Sequence, residues 1–143
     1  MSVYLDASVL LPTIVTEKGS GPVDRFMQAS ATPLLVSEFA AAEVSSALSR
    51  LARMGQLTAE DATSRLLDFD SWRIVHAKPI DVESVDVRLA VTFVRRFELK
   101  LRTPDALHLA ICRRLDAALV TLDRRLSVAA RELNIEVAFL EAG

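Results

Sequence analysis

Four carboxylates, Asp6, Glu43, Asp105 and Asp123, stand at positions where an acid needs a reason. Asp6 follows the apolar run Val3-Tyr4-Leu5, and Asp123 follows Ala118-Leu119-Val120-Thr121-Leu122. Both therefore end expected strands, and the carboxyl ends of strands are where open α/β sheets form ligand crevices. Glu43 has Phe39, Ala40, Val44 and Ala47 as its close neighbours on an expected helix, and a lone carboxylate on such a flank loses hydration. Asp105 lies in the first turn of another helix, within Thr103-Pro104-Asp105. Singly, each acid has a plain alternative role. Asp6, Asp105 and Asp123 suit helix caps or first turns, and Glu43 suits a boundary position reaching solvent or an Arg. Together they carry more weight, because the strands of a parallel sheet end on one edge and four carboxylates gathered there repel one another. A hard divalent cation, Mg²⁺ or Mn²⁺, resolves that conflict. Such a cation polarises a phosphoryl oxygen and acidifies a bound water. Two of them about 3.5–4 Å apart would grip both the attacking and the leaving oxygen of a phosphodiester. Ser8 and Thr121, each two residues from an acid, could orient the ligands or a water.

The elements that must position these residues alternate between apolar runs and helical periods from end to end, the pattern of an α/β domain with a mainly parallel sheet. Strands are expected at Val3–Leu5, Pro33–Val36, Trp72–His76 and Ala118–Leu122, with a closing edge strand at Glu136–Leu140. A short helix runs through Val9–Leu11, a loop occupies Glu17–Gly21, and Pro22 opens a second helix. Ser37 caps a long helix carrying Glu43, with Gly55 past its end. Thr58 caps the next, with Asp61 in the capping-box position. Asp81 is expected to cap a helix through Val85, Leu89 and Phe93. Thr103-Pro104-Asp105 opens another, and Asp123 opens the last, to about Leu133.

A chain of 143 residues fits one domain, taken as 1–143. It is 51% hydrophobic and 25% charged, which excludes intrinsic disorder. A single Cys excludes a disulfide scaffold, and Cys112 reads as a small buried apolar side chain. No apolar run is long enough to span a membrane and the start lacks the basic region of a signal peptide, so a cytoplasmic location is expected. No phosphate-binding glycine loop is present. His76 and His108 lack a second His or Cys at zinc spacing and read as packing residues, as does Trp72 at the start of its expected strand. The net charge of −2 argues at first against a nucleic-acid partner. Setting the four acids apart leaves 17 basic residues against 19 − 4 = 15 acidic ones, an Arg-rich remainder around an acidic centre. Among the Arg pairs, Arg124-Arg125 is the preferred phosphate contact because it adjoins Asp123.

Four segments, taken in order, resemble the motifs of PIN-domain proteins, and within that family the VapC-type toxins of bacterial and archaeal toxin–antitoxin pairs. They are Tyr4-Leu5-Asp6-Ala7-Ser8-Val9-Leu10-Leu11, Ala42-Glu43-Val44, Thr103-Pro104-Asp105-Ala106-Leu107-His108-Leu109-Ala110 and Leu119-Val120-Thr121-Leu122-Asp123. The resemblance covers nearly the whole chain. It implies an α/β/α sandwich around a mainly parallel sheet and a metal-dependent endoribonuclease acting on RNA phosphodiester bonds. Asp6, Glu43, Asp105 and Asp123 match the family's acidic metal site, with Mg²⁺ or Mn²⁺ as cofactor. Ser8 matches its frequent hydroxyl near the first acid, and Thr121 a frequent small hydroxyl residue. The resemblance further implies a homodimer and a VapB-like antitoxin, assembled as a heterotetramer or larger.

Two other readings of the acids stay open at this level. Haloacid-dehalogenase-like phosphohydrolases also place an Asp after a first strand, but a second Asp usually follows two residues later, where this chain has Ser8, and no suitable Lys follows. A binding module is the other: a receiver-like domain, for which Lys18, Lys78 and Lys100 are misplaced, or a PIN module that binds without cutting.

Overall fold

The computed structural model describes residues 1–141. Five parallel strands form one sheet: β1 (Val3–Leu5), β2 (Leu34–Ser37), β3 (Ala77–Ile80), β4 (Ala118–Thr121) and β5 (Val137–Phe139), in the order β3-β2-β1-β4-β5. Tyr4 sits opposite Leu35 on one side and Leu119 on the other. Among the described residues seven α-helices complete the fold: α1 (Ala7–Leu10), α2 (Ser20–Ala29), α3 (Glu38–Arg53), α4 (Ala59–His76), α5 (Ser84–Val94), α6 (Thr103–Leu115) and α7 (Arg124–Glu132).

Side chains alternate across a strand, so each strand feeds two cores. Tyr4, Leu35 and Leu119 pack under α5, α6 and α7 with Phe93, Leu109, Ile111 and Leu126. Leu5, Val36 and Val120 pack on the opposite face with Val9, Val44, Leu48 and Phe69, from α1, α3 and α4. Helices thus cover both faces, giving the α/β/α layering expected. Central strands β1 and β4 are short and almost wholly apolar, as strands buried on both faces must be.

The caps read from sequence form as expected at Ser37, whose Oγ accepts the Ala40 amide (2.9 Å), and at Thr58, whose Oγ1 accepts the Asp61 amide (3.0 Å). Three local readings are corrected. Trp72–His76 is the last turn of α4, not a strand; Ile74 and Val75 are exposed on that helix, and their β-branched preference yields to the continuing helix. The third strand is instead Ala77–Ile80, an edge strand, which is where a sheet tolerates Pro79. Trp72 is half-buried and stacks on Phe69 with ring centroids 6.3 Å apart. The cap of α5 is Glu83 rather than Asp81, with Asp86 accepting the Glu83 amide (2.9 Å). Helix α2 begins at Ser20, inside the expected loop.

Candidate active site

The sheet order reverses between β1 and β4, because the chain leaves β1 for β2 on one side and returns to β4 on the other. Crevices open at the carboxyl ends of strands at such a point. Asp6 and Asp123 immediately flank it.

Asp6 is the buried acid of the group, 4% exposed. Its Oδ1 accepts from the Ser8 hydroxyl (2.6 Å) and the Val9 amide (3.3 Å), and its Oδ2 accepts from the Thr121 hydroxyl (2.6 Å). Burial pushes its carboxyl above the ordinary range, opposed by the charge of His108 and by these hydrogen bonds. The two hydroxyls are themselves held: Ser8 Oγ accepts the Leu122 amide (2.9 Å) and Thr121 Oγ1 accepts the Asp123 amide (3.0 Å). Ser8 and Thr121 therefore clamp both oxygens of Asp6 and tie it to the turn that carries Asp123. Asp123 Oδ1 caps α7 by accepting the Arg125 and Leu126 amides (3.0 and 3.2 Å), leaving Oδ2 without a protein donor among the described residues.

A second group forms around α6. His108 is 4% exposed and lies between two partners: Nε2 meets Glu43 Oε1 at 2.5 Å, and Nδ1 meets the Tyr4 hydroxyl at 2.6 Å. The Tyr4 hydroxyl also meets Ser37 Oγ at 2.7 Å. Period-two alternation puts Tyr4 and Asp6 on the same face of β1, so this chain of bonds runs beside the first group. Asp105 is one turn from His108 on α6, and residues three apart are neighbours on a helix surface. Its Oδ2 accepts the Arg102 amide at 3.3 Å.

Two features differ from the reading of the sequence. Only Asp6 is deeply buried; Glu43, whose side chain is 30% exposed, Asp105 and Asp123 are half-buried and face water. Among the described residues no three acidic, His or Cys side chains close into a ready cage. Asp6 is linked through Thr121 to the Asp123 turn, Glu43 is bonded to His108, and Asp105 lies one turn from His108 on α6. His108 and Tyr4 are the residues that sequence reasoning missed. The signal was a polar ring inside Ala106–Cys112, a run buried at every position. Cys112 lies in that run as expected, and burial pushes its thiol up. Both Arg of the pair are exposed and line an open groove with Lys100, Glu98 and Glu132; Arg124 also lies over the Phe139 ring (4.9 Å) and pairs with Glu141 (3.3 Å). Lys18 and Gly19 line a second groove with Ser8, Leu122 and Asp123.

The family model for the PIN domain matches residues 3–132. The chain belongs to the PIN-domain family. No protein of curated function matches this PIN domain in sequence. Its fold is similar to the Mycobacterium tuberculosis VapC20 toxin, described as cleaving the sarcin–ricin loop, with TM-score 0.71 and 17% identity over 89% of this chain and 94% of that one. It is also similar to VapBC2 of Rickettsia felis, solved on a DNA fragment from its promoter (TM-score 0.68, 15% identity, 99% and 100% covered). A third likeness is to VapBC-1 of nontypeable Haemophilus influenzae (TM-score 0.69, 11% identity, 98% of each chain). At these identities the likeness concerns the fold.

PIN nucleases generally use divalent metal ions, and the donors present here fit one. Asp6, Asp105 and Asp123 pair with no Lys or Arg among the described residues, and Glu43 meets only His108. A buried carboxylate without a cation is costly, so Asp6 lacks the compensation that a metal supplies. Among the described residues, Glu43, Asp105 and Asp123 each keep one oxygen free of protein donors, and Asp6 keeps a spare lone pair on Oδ2. An all-oxygen set suits Mg²⁺ or Mn²⁺ over softer ions.

Proposed function

We infer that this PIN domain, taken as one unit over 1–143, is a metal-dependent endoribonuclease and the toxin of a VapBC-type pair. The observation that carries the reading is Asp6: a buried carboxylate at the switch point of a PIN fold, clamped by Ser8 and Thr121 and paired with no Lys or Arg among the described residues. Asp6, Glu43, Asp105 and Asp123 would hold Mg²⁺ or Mn²⁺. That ion supplies Lewis acidity at the scissile phosphate and lowers the pKa of water. The chain's own residues do the rest. Ser8 and Thr121 fix the Asp6 carboxylate against rotation, so that the free lone pair of Oδ2 points one way. Thr121 couples that orientation to the Asp123 turn through the Asp123 amide. Exposed Arg124 and Arg125, next to Asp123, would meet phosphates of the RNA, with Lys100 in the same groove and Lys18 in the groove that Asp123 lines.

The PIN fold and its VapBC neighbours support a VapB-like antitoxin as partner, and with it a homodimer assembled into a heterotetramer or larger. No helix among the described residues is long and apolar enough to cross a membrane. The lone, buried Cys112 fits a reducing compartment, and a cytoplasmic location is part of the same proposal. The purified chain incubated with structured RNA and Mg²⁺ or Mn²⁺ should give internal cleavage that EDTA abolishes. Cleavage undiminished in EDTA would overturn the metal role. Metal and RNA binding with no cleavage of any RNA would make it a binding-only PIN module.

A further inference from the structure

His108 is a buried polar ring that the nuclease reading leaves without a task, and its bonds all lead to one acid. Glu43 sits in the second turn of α3, with its side chain 30% exposed. A glutamate so placed has three rotatable bonds and water within reach, which gives its carboxylate no fixed position. His108 supplies one. Nε2 grips Oε1 at 2.5 Å and leaves Oε2 without a protein donor among the described residues. A ring held at one nitrogen can still tilt, but this one is held at both, because the Tyr4 hydroxyl meets Nδ1 at 2.6 Å. Whichever group carries the hydrogen between them, the ring plane is set from two ends.

Tyr4 is fixed in turn. It is fully buried in β1, and its hydroxyl rests on Ser37 Oγ, which also accepts the Ala40 amide at the start of α3. The path is a closed circuit: from the first turn of α3 through the sheet to α6 and back to Glu43 on α3. The Phe39 and Tyr4 rings pack against His108 at 5.2 and 5.5 Å, in a close-packed interior that resists a change of rotamer. Circuits of this kind in metal sites orient a ligand without touching the metal.

We propose that His108 and Tyr4 are positioning residues that hold Glu43 as a one-oxygen ligand, fixing Oε1 and leaving Oε2 for a metal. This rests on the metal-site reading given above. Neither residue touches substrate or metal in this role.

The test measures Mn²⁺ affinity by calorimetry on the full chain, alongside RNA cleavage and thermal melting. Wild type should bind Mn²⁺ and Asp6→Asn should lose that binding. Tyr4→Phe keeps the ring and removes the hydroxyl; it should weaken Mn²⁺ binding about tenfold, the lower end for lost outer-shell partners. It should lower kcat with KM for RNA unchanged. His108→Gln should act in the same direction, and should Gln at 108 prevent folding, Tyr4→Phe alone carries the test. In a Glu43→Gln background, Tyr4→Phe should change Mn²⁺ affinity less than twofold, since no carboxylate remains to be positioned. Variants that melt lower but bind Mn²⁺ as wild type does would overturn the positioning role while leaving the metal site standing. Equal losses with and without Glu43 would also overturn it. Failure of wild type to bind Mn²⁺ would overturn both readings together.

Discussion

Thr121→Val separates the hydroxyl clamp from simple packing. The Thr121 side chain is fully buried, and Val fills nearly the same volume, so no cavity opens. What is lost is chemistry. The Thr121 hydroxyl donates to Asp6 Oδ2 at 2.6 Å and accepts the Asp123 amide at 3.0 Å. A hydrogen bond to a charged group contributes about 1.5–3 kcal/mol and a neutral one about 1 kcal/mol, so the loss comes to about 2.5–4 kcal/mol. A chain of 143 residues unfolds with an entropy of about 0.3 kcal/mol/K, which turns this into a fall in Tm of about 8–13 °C. Thr121→Ser keeps the hydroxyl and deletes one methyl, at a cost of about 1 kcal/mol and about 3 °C. Both are read by thermal melting at neutral pH without divalent cations. If Thr121→Val melts within about 3 °C of wild type, or if Thr121→Ser falls as far, the hydroxyl is not what holds Asp6 and the clamp argument fails.

Two further outcomes follow from other parts of the structure. Burial raises the folded-state pKa of Asp6, so its contribution to stability is fully present below the unfolded carboxylate pKa and is lost as pH rises through the folded one. The Tm of cation-free wild type relative to Asp6→Asn, which cannot titrate there, should therefore fall from pH 3 upwards; a difference flat with pH would contradict the shift. Away from the site, the Asp86 side chain is fully buried and accepts from Arg114 Nε (2.7 Å) and a terminal guanidinium nitrogen (3.0 Å). Arg114→Ala strands that carboxylate, at about 3 kcal/mol given that Arg114 is partly exposed, or about 10 °C in Tm; a shift under about 3 °C would show the pair to be dispensable.

The sequence made most of the scaffold legible because local rules agreed with the global fold. Ser37, Thr58 and Asp123 each cap the helix their positions suggest, and the buried runs at Val3–Leu5 and Ala118–Thr121 form the central strands. The third strand was misplaced because Ile74 and Val75 favour strands locally, while α4 continues on the strength of its start and its buried Ala62 and Phe69. Asp6 and its two hydroxyls were readable because Ser8 lies two residues away and Thr121 ends the neighbouring strand. His108 was not: its partners Tyr4 and Glu43 lie 104 and 65 residues away, and no local period records such a pairing. The desolvation expected of Glu43 is only partial, since its side chain stays 30% exposed in the second turn of α3, and it is Asp6, at the end of β1, that is buried.

The most direct test of the central claim is RNA cleavage by Asp6→Asn. Asn keeps the size of Asp6 and a carbonyl acceptor but removes the charge that a divalent cation requires. With circular dichroism confirming the fold, the variant should cut structured RNA at least a hundredfold more slowly than wild type in Mg²⁺ or Mn²⁺, equivalent to about 2.7 kcal/mol of transition-state stabilisation. Cleavage at the wild-type rate, still dependent on metal, would show that the chemistry lies elsewhere on this PIN domain.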